Sequence, residues 1–254
     1  YRLGARLGGS RGVGLGAAVA VAGSAWLIHY LHELRGYTLY AFLTAALFVL
    51  YVEYMDSTAK PPRTPRIQGQ RGWRGVGLFL AALGLFYTHY FAALVVVVLG
   101  FWHLTWLLRR RIPPLRWWLV IGWIGLAGLL FLPWLSNLFA AVGLAQGQNR
   151  LVLARYTFEQ LPGVFIYIFS GTSVALFALL ALVGLRQRGA VTAWLLTGAL
   201  LLLGLVAFRA LGLTEPRYLI GLAVPLALVA GIGFDRLRQI GVPLVVSGAV
   251  WFMA

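Results

Sequence analysis

The chain has 254 residues, of which 61% are hydrophobic and 11% charged, with mean hydropathy +0.86, no cysteine and a formal net charge of +15. A water-soluble domain is nearer 45–50% apolar and about 25% charged, so this much apolar surface calls for lipid, and thiolate chemistry is excluded outright. The basic residues fall in short clusters between apolar runs rather than along one face, which argues against nucleic acid as a partner.

Taken in chain order, apolar runs long enough for helical membrane crossings lie near 12–30, 37–55, 75–108, 117–136, 170–185, 190–208, 218–234 and 240–254. The chain opens on Tyr1 and stops at Ala254 inside an apolar run, so the expectation is a single transmembrane domain over 1–254, truncated at both ends. Arg2, Arg6 and Arg11 precede the first run, whose glycines suit close helix packing. Residues 56–74 carry Lys60, Arg63, Arg66, Arg71 and Arg74 with three prolines, the composition of a cytoplasmic loop beside anionic headgroups.

The run 75–108 is too long for one crossing: as a straight helix it would reach about 51 Å. Arg109, Arg110, Arg111 and Arg116 follow it. If they share a side with Arg74, as basic loops do, the run is a hairpin turning near YTHYF (87–91). The fold expected is therefore all-α, a polytopic bundle of about nine spans. Sixteen of the 21 basic residues then face the cytoplasm, leaving Arg35, Arg150, Arg155, Arg209 and Arg217 outside with Glu33, Glu159 and Glu215. Residues 137–169 form the one outer loop of real length. Arg155 and Glu159, four apart, share a face if that piece is an interfacial helix; a structureless loop is the alternative.

Two junctions concentrate chemistry. HELRGY (32–37) places His32, Glu33, Arg35 and Tyr37 at the outer boundary, and TEPRYL (214–219) places Glu215, Arg217 and Tyr218 at another. Charges there are costly unless paired or used, and an arginine fork matches phosphate oxygens. Paired anchoring of Glu33 with Arg35 is the simpler account of the first group, and aromatic-belt placement that of the tyrosines. His89 tops the hairpin at the same level, although a lone histidine is more often structural. His29 sits one turn below His32, and no outer-face carboxylate except Glu33 accompanies them at metal spacing, so no metal site is assigned. No phosphate-binding glycine loop or hydrolase motif is present, and few ionisable groups lie within the spans to relay protons.

These elements, in this order, resemble the lipid-dependent GT-C glycosyltransferases of the protein O-mannosyltransferase and aminoarabinose transferase group. A basic, Gly-rich lead into HELRGYTL, the YTHYF hairpin, FLPWL (131–135) and EPRYLIGLAVPLALVAGIGF (215–234) are similar to segments of bacterial members, over roughly residues 1–240. The resemblance implies a multi-pass protein of the bacterial inner membrane that moves a sugar from a polyprenyl-phosphate donor to a protein, lipid or glycan acceptor on the outer face. It implies Arg35 and Arg217 on the donor phosphate, with Glu33, Tyr37, His89 and Tyr218 orienting phosphate or sugar. The family's catalytic acid lies in an outer loop upstream of Tyr1, so residues 1–254 are expected to be inactive alone. A divalent metal is compatible with the resemblance but no cofactor is identified. Two other functions stay open: an O-antigen ligase or polymerase, whose large outer loop is not evident, and a non-catalytic transporter of lipid-linked sugars, which would show broken helices in two matching halves.

Overall fold

A computed structural model describes residues 1–31, 36–56, 69–108, 114–137, 139–140, 143, 157–211 and 215–253. Among them every regular element is helical and there is no strand. Five stretches are long and apolar enough to cross a membrane: Tyr37–Met55, Leu115–Asn137, Phe158–Gly184, Ala190–Leu211 and Pro216–Gln239.

The chain begins with α1 (Arg2–Gly8) and α2 (Arg11–Ala22). Ser10 caps α2, its Oγ accepting from the Val13 amide at 3.2 Å, which satisfies one of the orphan donors of the first turn. The helix stops at Gly23–Ser24 and restarts as α3 (Ala25–Leu31), so the run 12–30 is two helices where the sequence predicts one span. There follow α4 (Tyr37–Asp56), α5 (Gly69–Thr88) and α6 (Ala92–Leu108). The break between α5 and α6 falls at residues 89–91, as the hairpin expectation requires, and the Ala92 amide closes the turn on the His89 carbonyl at 2.9 Å.

Next come α7 (Pro114–Phe131), α8 (Leu161–Ser170), α9 (Val174–Gly184) and α10 (Ala190–Leu211). The sequence reading places residues 158–169 in the outer loop. They are instead helical: a short turn over Phe158–Gln160 leads into α8, and a second over Gly171–Ser173 joins α8 to α9. The reason is burial. Leu161, Phe165 and Phe169 recur every fourth residue and all lie inside the bundle, and that stripe outweighs Gly163 in the same segment. Of the expected interfacial pair, Glu159 lies in the Phe158–Gln160 turn, and Arg155 lies outside the described residues.

A kinked 3-10 segment, Pro216–Leu222, opens α11 (Ala223–Gln239), and α12 (Leu244–Met253) follows it. Helix α11 is the axis of the bundle, buried along almost its whole length. Glycines let it approach α2 and α9 closely. A Cβ at Gly231 would lie 2.5 Å from the Ala17 amide nitrogen and 2.7 Å from the Val13 carbonyl oxygen, and a Cβ at Gly233 would meet the Leu180 carbonyl. At the far end of this seam Asp235, 3% exposed, accepts from Ser10 Oγ at 2.7 Å, from Arg238 Nε at 3.0 Å and NH2 at 2.8 Å, and from Gln239 at 3.0 Å. Its charge is thus fully hydrogen-bonded, the condition for keeping a carboxylate buried.

Helix α7 and the 3-10 turn Leu132–Trp134 that follows it are the opposite case. Trp118, Leu129, Leu132 and Trp134 are half or more exposed, an outward apolar face suited to lipid rather than water. His103 of α6, 4% exposed, faces inward. It meets the Tyr51 hydroxyl at 3.1 Å and the Trp117 carbonyl at 3.2 Å, and so ties α4, α6 and α7 together as a structural residue.

The bundle has two chemically different ends. Gly221 approaches Tyr40 and Thr44 near the start of α4, so α4 and α11 start at the same level. At the other end, Arg188 reaches Gly9, Asp235 holds Arg238, and Arg74 donates to the Glu53 carbonyl. Arg217 lies with Tyr37 at the first end.

Candidate functional site

Tyr37, His89, Arg217 and Tyr218, the described members of the three sequence groups singled out above, meet at one end of the bundle. Two backbone features bring them there. The Tyr40 hydroxyl of α4 donates to the Phe91 carbonyl at 3.1 Å, which pins the α5–α6 turn against α4. Gly221 then lets the Pro216–Leu222 segment come close to the same tyrosine: a Cβ there would stand 3.1 Å from its hydroxyl oxygen. Pro216, in the first turn of that segment, sets its direction.

His89 is the centre of the cluster. Its ring stacks on Tyr40 (5.6 Å between centroids, 5° between planes) and on Tyr90 (4.5 Å, 24°). Tyr37 lies 5.6 Å and Tyr218 5.4 Å away. The Phe91 amide donates to His89 Nδ1 at 3.2 Å, so the neutral ring carries its proton on Nε2. Burial, and after it the nearby Arg217 charge, lowers the His89 pKa to about 4. At neutral pH it is therefore an uncharged donor rather than a second cation. Burial, then the neighbouring Tyr218, raises the pKa of Tyr90, so its hydroxyl also keeps its proton.

Arg217 lies over the rings of Tyr37 (6.0 Å) and Tyr218 (5.6 Å), within range of cation–π attraction. Its Nε is 3.7 Å from Glu215 Oε2, close enough for ion pairing but too far for a hydrogen bond. That buried Nε has no hydrogen-bond partner among the described residues. Among the described residues the assembly is one cation, paired with Glu215 and ringed by hydroxyl and imidazole donors, a composition that can receive an oxyanion at the guanidinium.

Beside it lies a cavity of about 480 Å³ lined by Trp26, His29, Tyr30, Tyr167, Thr172 and Glu215, among others. Tyr30 joins the two, at 5.3 Å from Tyr37, and Glu215 serves both, facing the cavity and pairing with Arg217.

Of the residues expected at a site, the structure gathers Tyr37, His89, Arg217 and Tyr218. Glu33 and Arg35 lie outside the described residues. Tyr40 and Tyr90 join the cluster without being singled out by the sequence reading. The signal for Tyr40 is its spacing, three residues after Tyr37 and so on the same helix face. No protein-family model, curated protein or solved structure matches the chain.

Proposed function

We propose that this chain is the membrane-embedded part of a lipid-dependent glycosyltransferase of GT-C type. It takes a sugar from a polyprenyl-phosphate donor and passes it to an acceptor on the outer face of a bacterial inner membrane. The observation that carries this proposal is the convergence of Tyr37, His89, Arg217 and Tyr218 from three separate chain segments at one end of an otherwise apolar bundle. Scattered interfacial anchors have no reason to meet, because each could reach the headgroups alone. Together they form a donor array at the depth where a lipid phosphate sits.

In mechanism, cleavage of the anomeric C1–O bond leaves negative charge on the departing lipid phosphate. A preformed cation with neighbouring hydroxyl donors stabilises that charge without reorganising. Arg217 supplies the fixed charge, and its unpartnered Nε–H gains an acceptor when phosphate oxygen arrives. Tyr37 and Tyr218 orient the guanidinium through their ring faces. His89, neutral and donating from Nε2, adds a hydrogen bond and no competing charge. Arg35 and Glu33 join this role through the family resemblance. The resemblance gives the proton of the incoming hydroxyl to a carboxylate that is not among the residues gathered here. The direct test is transfer of radiolabelled sugar from polyprenyl phosphate in membranes containing the full-length protein; absence of transfer from any such donor, with the protein inserted and abundant, rejects the activity.

The topology belongs to the same proposal: nine crossings, with the Arg74 and Arg188 end cytoplasmic and the Arg217 end outside. The chain has no native cysteine, so single cysteines report cleanly. Cysteine at position 89 should react with impermeant maleimide in intact cells, while cysteine at 65 or 110 should react only after permeabilisation. Labelling at 110 but not at 89 would invert the scheme.

A further inference from the structure

We propose that the cavity beside Arg217 holds the sugar ring of the donor, and that it selects a neutral, hydroxyl-bearing sugar over a charged one. The inference rests on the donor site proposed above and adds to it a second compartment with its own chemistry.

The lining fits a pyranose or furanose. Such a ring has an apolar C–H face and a rim of hydroxyls. Aromatic walls suit the face, and a few fixed polar groups suit the rim. Trp26, Tyr30 and Tyr167 provide aromatic wall, with His29, Thr172 and Glu215 as polar groups. Trp26 is a rigid part of that wall: it is 2% exposed and packs on Phe165 at 5.8 Å. At about 480 Å³ the cavity lies in the range of small-ligand sites.

Charge decides what kind of sugar. Among the described lining residues Glu215 is the carboxylate, and Arg217 already faces it at 3.7 Å. The pair offers nearly neutral surroundings to the cavity while leaving carboxylate lone pairs to accept from hydroxyls. An ammonium-bearing sugar would have to compete with Arg217 for Glu215, and a uronate would meet the Glu215 charge directly. A neutral sugar meets neither obstacle. The position of Glu215 also fixes the order of the two compartments. The sugar lies on its cavity side and the phosphate on its Arg217 side, so the anomeric C1–O–P linkage sits between them.

The test measures binding to full-length protein in detergent with three probes: farnesyl phosphate, farnesyl phosphate carrying a neutral hexose, and the same lipid carrying a 4-amino-4-deoxypentose. Tyr167 and Thr172 are exposed, so Tyr167→Ala/Thr172→Val should keep the fold, which an unchanged Tm confirms. The neutral hexose should tighten binding about tenfold over bare farnesyl phosphate, as one or two net hydrogen bonds would. The double variant should lose that gain while binding bare farnesyl phosphate like the parent. If the hexose adds nothing, or the double variant keeps its gain, the cavity is not the sugar compartment, although the phosphate site stands. Tighter binding of the aminopentose than of the hexose overturns the neutral selection. If none of the three probes binds, the donor site itself falls and this inference falls with it.

Discussion

Replacing Arg217 with alanine should lower sugar transfer from a polyprenyl-phosphate donor by roughly 10²–10³-fold, the usual loss when one preorganised charge-stabilising donor is removed. The size follows from position. Arg217 is the cation of the described cluster, and the groups around it, His89 included, are neutral donors that cannot replace a full charge. Arg217→Lys should recover only part of the loss, because a point charge reproduces neither the two-pronged phosphate contact nor stacking over Tyr37 and Tyr218. Arg209→Ala is the control: Arg209 is exposed in the last turn of α10, and its loss should leave transfer within about twofold. Structural damage is a weak confounder, since Glu215 and Arg217 both keep solvent contact and such pairs contribute about 0–1 kcal/mol. Tm and abundance should therefore stay near the parent. The resemblance predicts the same loss for Arg35→Ala. Normal insertion with wild-type transfer in Arg217→Ala would reduce this residue to a headgroup anchor.

The ends of the bundle are easier to read from sequence than its middle. Membrane boundaries are marked by charge, and charge is costly to misplace, so the α5–α6 break at YTHYF and the grouping of Tyr37, His89 and Arg217 at one level are legible from basic clusters alone. Contacts inside the bundle carry no such mark. The glycines of α2 announce a close approach, but nothing in the sequence names α11 as the helix that approaches, or Gly231 as the matching gap. The break at Gly23–Ser24 is hidden because apolar residues continue on both sides of it. Helix α8 is masked for a related reason. Arg150, Arg155 and Glu159 draw the whole stretch toward the surface, while the Leu161, Phe165 and Phe169 stripe is too short to assert itself. Glu215 shows the limit most clearly. Sequence places it beside Arg217, and only the fold shows that the α3 and α8 segments build a cavity on its other side.

Gly231→Leu should give a protein that fails to fold to a monodisperse state in detergent, the largest structural effect expected from a single substitution in this bundle. The close neighbours of a Cβ at this position are mostly backbone atoms, the Ala17 nitrogen at 2.5 Å and the Val13 oxygen at 2.7 Å, with the Ala17 methyl at 2.8 Å. No rotamer change can move backbone, so α2 and α11 must separate, and overpacking of a tight core costs about 1–3 kcal/mol or more even where side chains can yield. Separation would propagate along the seam to Asp235, whose hydrogen bond from Ser10 spans the same two helices; Arg238 and Gln239 stay with it on α11, so the added loss is that of one hydrogen bond to a charged group, about 1.5–3 kcal/mol. Gly198→Leu is the matched control, since a Cβ at Gly198 meets nothing within 4 Å, and a side chain there should be neutral or mildly stabilising through helix propensity. The milder Gly231→Ala should fold with a lowered Tm and reduced transfer, because α11 continues directly from the segment that carries Arg217. A Gly231→Leu protein with parental Tm and a single elution peak would show that α2 and α11 do not pack through this glycine.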